Sequence, residues 1–277
     1  MVRFCRKTLP KQAGEIAAAA YYLRRMKTIF ITGATAGFGE ACAHLFAKNG
    51  YRLLLNGRRL ERLETLKEKL ENAYAIPVYL LPFDVQNREK VFTAIGDLPE
   101  SWQEIDVLIN NAGLALGRDL FDNADLNDWE TMIDTNVKGL LYVSKAVIPY
   151  MIKRKNGHII NLGSVAAKDV YERGNVYCAS KAAVDTISKA MRIDLLQHRI
   201  KVTAVHPGAA ETEFSLVRFK GDQATAQKTY EGFQPLSSED VAEIIFYCAS
   251  LPHHVCINDL VVTCTQQANG IYIHKES

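Results

Sequence analysis

Short apolar runs recur along the chain with room for a helix between most neighbouring pairs. Ile29-Phe30-Ile31 and Tyr51 to Leu55 are the first two, and the pattern predicts strands at about 27–32, 51–56, 77–82, 106–110, 157–163, 200–206 and 258–263. Strands that alternate with helices in this way build a parallel, doubly wound α/β sheet with helices on both faces, joined by right-handed connections. In such a sheet a ligand lies across the carboxyl ends of the strands. Residues 209–235 break the pattern. They are polar, lack a firm period and are interrupted by Gly221, Gly232 and Pro235, which reads as a mobile lid or, more plainly, a connecting loop.

The alternation begins only after Met26, which makes 26–277 one α/β domain. Residues 1–25 carry Arg3, Arg6, Lys7, Lys11, Arg24 and Arg25 against the single acid Glu15. That composition resembles an organelle transit peptide, but the segment is not serine-rich and Ala17 to Leu23 is too short to span a membrane. It is read as a poorly ordered extension or an overcalled start.

Composition narrows the classes of function. A chain of 277 residues, 48% apolar and 23% charged, suits one soluble α/β domain, and no run approaches the length of a membrane helix. A net charge of +2 without a basic stripe argues against nucleic acid as partner. Cys5, Cys42, Cys178, Cys248, Cys256 and Cys264 show no metal-type pairing and read as free thiols, which points to a reducing, cytoplasmic setting. His253-His254 lacks partners at ligand spacing, so it reads as a surface turn, and no metal is expected.

Three motifs carry the chemistry. Thr32-Gly33-Ala34-Thr35-Ala36-Gly37-Phe38-Gly39 follows the first strand and opens a helix. Glycines there let the backbone turn and approach a pyrophosphate, which the amides at the helix start attract. The second strand ends in Asn56-Gly57-Arg58-Arg59, with no carboxylate to take a ribose 2′-hydroxyl. Two guanidiniums suit a 2′-phosphate instead, so NADP is favoured over NAD; otherwise they only line a solvent face, as Arg62 is expected to do. Tyr177 and Lys181 stand at i and i+4 on a helix, with Ser164 upstream. An ammonium near the phenol favours phenolate, so Tyr177 can exchange a proton with a carbonyl or alcohol oxygen that Ser164 holds.

From Lys27 to about His274 these motifs resemble the short-chain dehydrogenase/reductase family. The resemblance implies a single Rossmann-type domain. It assigns Gly33, Thr35, Gly37, Phe38 and Gly39 to the pyrophosphate turn, Asp84-Val85 to the adenine, and Asn110, Ala112 and Gly113 to the central strand and cofactor. It places Pro207-Gly208 and Thr212 at the nicotinamide, and Asn136, Ser164, Tyr177 and Lys181 in a catalytic tetrad, with Asn136 helping to hold a relay water. A homotetramer or homodimer is also implied.

Within the family, segments such as Trp129 to Asn136, Gly174 to Tyr177 and Thr212 to Asp222 are similar to NADP-dependent 3-hydroxy acid dehydrogenases of the serine or L-allo-threonine type. The implied substrate is a small hydroxy acid or the matching carbonyl compound. Arg218 and Lys220 are then candidates to meet its acid group. His206, Ala209 to Glu211 and Lys168 to Arg173 depart from that pattern at the edge of the pocket, which keeps a broader carbonyl or 3-oxoacyl thioester reductase open, and a non-catalytic NADP-binding sensor behind it. His206 either touches substrate or cofactor or simply ends a strand.

Overall fold

The computed structural model describes residues 26–276; the N-terminal extension at 1–25 and Cys5 lie outside the described residues. Seven strands form one sheet in the order β3-β2-β1-β4-β5-β6-β7. They are β1 (Thr28–Ile31), β2 (Arg52–Asn56), β3 (Val78–Leu81), β4 (Ile105–Asn110), β5 (Gly157–Leu162), β6 (Ile200–Pro207) and β7 (Asp259–Val262). Every neighbouring pair is parallel. All seven fall within about two residues of the ranges predicted from the apolar runs.

Alternate residues of each strand serve opposite faces, as the two-residue repeat of a strand requires. Ile29, Ile31, Leu53 and Leu55 pack in one layer with α1 (Gly37–Lys48), α2 (Leu60–Tyr74) and α9 (Ser238–Ser250). Phe30, Leu54, Leu108, Ile159 and Val202 pack in the other with α3 (Arg88–Gly96) and α5 (Leu140–Arg154). Burial on both faces explains why the central strands read as nearly unbroken apolar runs. The chain steps outward from β1 to β3, returns, and continues from β4 to β7. The direction of winding therefore reverses between β1 and β4, and the strand ends there leave a crevice.

Two features shape that crevice. A long helix runs from α4 (Leu126–Ile133) into α5 through a widened π turn at Asp134–Gly139. Such turns often mark functional sites. Gly139 lets the helix press on Val85, because a β-carbon there would stand 2.7 Å from Val85 Cγ2. The second feature is α6 (Asn175–Asp194), whose buried face carries Tyr177, Ser180, Lys181, Val184, Asp185 and Ser188 at the three- and four-residue spacing of one helix side.

The predicted lid contains more structure than its sequence suggested. Two six-residue helices, α7 (Glu213–Arg218) and α8 (Gln223–Lys228), form within it. Both are too short to show a period and are started by side-chain caps: Thr212 accepts from the Phe214 amide and Asp222 from the Thr225 amide.

Deep in the sheet, His158 is almost fully buried, with Nε2 at 2.8 Å from Thr203 Oγ1. Thr203 gives its only proton to the Ile257 carbonyl, so it accepts from His158 and fixes the ring proton on Nε2. Nδ1 has no partner. Burial, followed by the charge of Lys201, pushes this imidazole down to about 3. The folded state thus resists a proton that the unfolded chain takes up near pH ~6.5, and stability falls as pH drops through that window. Between pH 7 and pH 5 the loss from this residue is about 2 kcal/mol. His158→Gln is expected to flatten the fall in thermal midpoint over that range; an unchanged slope would assign the acid sensitivity elsewhere.

Candidate active site

The glycine turn, the ends of β2, β4, β5 and β6, and the lid together enclose a cleft of about 1340 Å³. The three turn glycines have separate tasks. Gly33 and Gly37 adopt left-handed backbone, with φ of 64° and 54°. Gly39 is tightly packed instead: a β-carbon there would meet the Gly33 carbonyl oxygen at 2.2 Å and Asn111 Nδ2 at 2.6 Å. The turn is tied to β4 by Thr32, whose hydroxyl accepts from the amides of Asn111 and Ala112, and by Asn111, whose side-chain amide donates to the Thr32 and Gly33 carbonyls.

Thr35 and Phe38 line the cleft with Gly33 and Gly37, as do Asp84, Val85, Ala112, Gly113, Pro207, Gly208 and Thr212. Arg58 and Arg59 are exposed at its edge, 3.7 Å from Asp84 and Glu213 respectively, and Arg59 also donates to Thr35 Oγ1. Arg62 does not merely face solvent: its guanidinium reaches both carboxylate oxygens of Glu213 at 3.0 and 3.2 Å, which ties α2 to the first lid helix. These exposed pairs are weak enough to be exchanged for a phosphate.

Two of the expected residues are held by inward-facing hydrogen bonds. Asn110 is buried beneath the cleft, where its amide donates to Ser144 Oγ and Asn161 Oδ1, so it braces the sheet centre. Asn136 is buried in the π turn and doubly clamped to Leu114, accepting from its amide and donating to its carbonyl, both at 2.8 Å. It also donates to Ser180, whose hydroxyl donates to the Tyr177 carbonyl. Asn136 thus fixes the wall of the cleft and the backbone of the tyrosine.

Ser164, Tyr177 and Lys181 converge on the cleft and are nearly buried. Lys181 Nζ donates to the Leu162 carbonyl at 2.9 Å and lies 6.0 Å from the centre of the Tyr177 ring. Burial alone pushes Lys181 down to about 8. For Tyr177 burial also acts first and drives the phenol above its ordinary range, opposite to the shift a nearby cation was expected to give; Tyr171 adds to the rise, while Ser164 and Arg218 pull it back.

Arg218 was singled out from the sequence together with Lys220, but only Arg218 reaches the centre. Its guanidinium stands 5.5 Å from the Tyr177 ring and 5.7 Å from that of Tyr171, and donates to the Tyr171 hydroxyl. Lys220 is engaged by Asp128 at 2.9 Å. Three contributors escaped the sequence reading. Phe214 packs on Tyr177 with ring centres 5.6 Å apart. Gln267 Oε1 accepts from the Ala209 amide at 2.8 Å and would clash with any β-carbon on Gly208. Ser180 completes the set, and only its place one turn from Tyr177 could have flagged it.

The arrangement fits a dinucleotide carrying a 2′-phosphate: glycine backbone where a pyrophosphate must come close, two arginines at the end of β2, and the buried Tyr177 and Lys181 at the far end. The family model for short chain dehydrogenases matches residues 27–222. The NADP-dependent 3-hydroxy acid dehydrogenase YdfG of Salmonella typhi is 47% identical over 89% of this chain and 99% of its own length. A sulfoacetaldehyde reductase of Chromohalobacter salexigens is 48% identical over 87% of this chain and 94% of its own. Among solved structures, the closed form of a serine dehydrogenase complexed with NADP+ superimposes with a TM-score of 0.84 at 45% identity, covering 90% of this chain and all of that one.

Proposed function

Because the chain belongs to the short-chain dehydrogenase/reductase family, we propose that it is an NADP-dependent oxidoreductase acting on a small 3-hydroxy acid or the matching carbonyl compound. The observation that carries the substrate class is the guanidinium of Arg218, 5.5 Å from the Tyr177 ring inside the cleft. A cation beside the proton-exchanging phenol suits a substrate whose acid group sits a short distance from the carbon that reacts. The names of the curated relatives, one a hydroxy acid dehydrogenase and one a sulfoacetaldehyde reductase, support an acidic substrate and leave carboxylate and sulfonate as its two forms.

NADP, when bound, supplies the acceptor or donor of hydride. Gly33 to Gly39 would hold its pyrophosphate and Arg58 and Arg59 its 2′-phosphate, with Asp84, Val85, Ala112, Gly113, Pro207, Gly208 and Thr212 along the cleft. Tyr177 gives a proton to a carbonyl oxygen in reduction and takes one from a hydroxyl in oxidation, while Ser164 donates to that oxygen. Lys181, brought down to about 8 by burial and still mainly charged at pH 7, lowers the cost of the phenolate and exchanges protons with solvent. Asn136 keeps Leu114 and the tyrosine backbone in place. Residues 209–235 close over the substrate as a lid that brings Arg218. A cytoplasmic homo-oligomer fits this reading; among the described residues no helix is long and apolar enough to cross a membrane, and Ile193 and Leu196 at the end of α6 are exposed.

The test is turnover followed at 340 nm with NADP and NAD separately, against L-serine, L-allo-threonine, 3-hydroxypropionate, 3-hydroxyisobutyrate and, in reverse, sulfoacetaldehyde. NADP-dependent turnover of at least one acid is expected. Arg218→Ala should raise its KM about tenfold, the scale of one charge-assisted contact. Turnover of neutral carbonyl compounds alone, or an unchanged KM, would move the assignment to a broader carbonyl reductase.

A further inference from the structure

Behind Ser164, outside the lining of the cleft, four side chains from four parts of the chain meet: Lys168 after β5, Asp185 on α6, His206 on β6 and Asp259 on β7. His206 is fully buried, and its Nε2 stands 3.5 Å from one carboxylate oxygen each of Asp185 and Asp259, without a hydrogen bond. The ligand-type atoms of these three residues lie within 4.8 Å of one another, a spacing a metal ion can bridge. Lys168 answers that reading. Its ammonium is 3.1 Å from Asp185 and 2.6 Å from Asp259, so the positive charge between the carboxylates is already supplied by the protein. Lys189, one turn along α6, pairs with the other oxygen of Asp185 at 2.8 Å.

The opposite edge of the same ring touches the catalytic segment. His206 Nδ1 lies 3.3 Å from the Ser164 amide nitrogen and 3.2 Å from the Ser164 carbonyl oxygen. The ring is pressed on this backbone, because a β-carbon on Gly163 would come within 2.2 Å of Nδ1. Which contact forms depends on the proton. With two carboxylates facing Nε2, a bare lone pair there is repelled, so the neutral ring carries its proton on Nε2 and Nδ1 accepts from the Ser164 N–H. The imidazolium has a proton on both nitrogens, cannot accept, and must turn to the Ser164 carbonyl. The two states therefore hold the backbone on opposite sides of the Ser164 α-carbon.

We propose that His206 is a positioning residue for Ser164: the neutral ring holds the Ser164 N–H, the imidazolium holds the Ser164 carbonyl, and the exchange re-aims the serine hydroxyl that stands between them. The hydroxyl's own anchor makes this transmission direct, since Ser164 Oγ accepts from the Ala166 amide in the turn that the peptide begins. Burial, then Lys168, holds His206 below the ordinary imidazole value, with Asp259, Asp185 and the Ser164 contact opposing. The neutral ring is thus the form at pH 7, and acid drives the exchange. The catalytic consequence rests on the role assigned to Ser164 above; the exchange itself does not.

The experiment reads both. In the whole protein labelled at serine with nitrogen-15, the Ser164 amide resonance should titrate on the acid side. Its midpoint should move to higher pH in Lys168→Met, which removes the cation, and to lower pH in Asp259→Asn, which removes an anion. The acid limb of kcat should move with it in the same two variants. His206→Asn, whose amide oxygen can accept from Ser164 but does not titrate, should abolish the shift and flatten the limb. His206→Ala should lower kcat about tenfold with the Kd for NADPH unchanged, and Asn should rescue it. An amide that does not titrate, or a midpoint indifferent to both charge variants, would overturn the exchange. A titrating amide with an acid limb that stays put would overturn the positioning role. Absence of turnover with every acid, alongside a titrating amide, would instead fail the substrate assignment and leave the exchange supported.

Discussion

Tyr177→Phe should bind NADPH as tightly as the parent and reduce its carbonyl substrate roughly 10²–10⁴-fold more slowly, the range general acid catalysis spans. The change removes one oxygen from a nearly buried ring that packs on Phe214 and under Arg218, so the ring's contacts survive. The proton donor does not. Direction matters to the pH profile. Burial holds the phenol above its ordinary range, so it is protonated at neutral pH and ready for reduction, whereas oxidation needs the phenolate. Oxidation by the parent enzyme should therefore climb toward alkaline pH more steeply than reduction, and that climb should vanish in Tyr177→Phe. Rapid turnover by the variant would show that another group moves the proton. Lys181, brought to about 8, is the group such a result would point to.

The shift at Tyr177 also shows where sequence reasoning stops. Spacing at i and i+4 placed the phenol and ammonium on one helix face, and the structure has them there. Spacing says nothing of depth. Burial raises one group and lowers the other. The fold was legible for a related reason. Strands buried on both faces are apolar along most of their length, so runs such as Leu53-Leu54-Leu55 announce themselves, and the parallel order follows from helices lying between them. The glycine turn and the residues at strand ends were readable because local backbone demands select them.

Long-range side-chain work left no such trace. Gln267 approaches Gly208 from the far end of the chain, and Glu213 meets Arg62 across the lid. His206 closes a group drawn from the turn after β5, α6, β6 and β7 that no spacing reveals. The lid was misread in a different way. Helices of six residues held by Thr212 and Asp222 caps are too short to produce a periodic pattern, so polarity alone suggested an irregular loop. The hydrogen bonds of Asn136 and Asn110 face inward, to Leu114 and Ser180 in one case and to Ser144 and Asn161 in the other, which their place in the chain does not reveal.

Gly39→Ala is the substitution expected to damage cofactor binding most. The residue needs no unusual backbone angle, so conformational freedom is not the reason for glycine. Space is. A methyl group at this position would stand 2.2 Å from the Gly33 carbonyl oxygen, 2.9 Å from the carbon of that carbonyl and 2.6 Å from Asn111 Nδ2. Two of these atoms are backbone and the third is donating to Gly33, so no flexible side chain can yield. The start of α1 must move away from β1 or the Gly33 peptide must turn, and either distorts the loop proposed to take the pyrophosphate. Overpacking of this kind costs about 1–3 kcal/mol of stability, and the Kd for NADPH should rise at least about 100-fold as the loop loses its shape. Gly96→Ala supplies the control, because a β-carbon there meets nothing within 4 Å and Gly96 ends a helix remote from the cleft. It should leave the Kd unchanged and raise the thermal midpoint slightly, as expected when helical glycine becomes alanine. Equal losses in both variants would mean that glycine content, rather than the contact with Gly33, governs the turn.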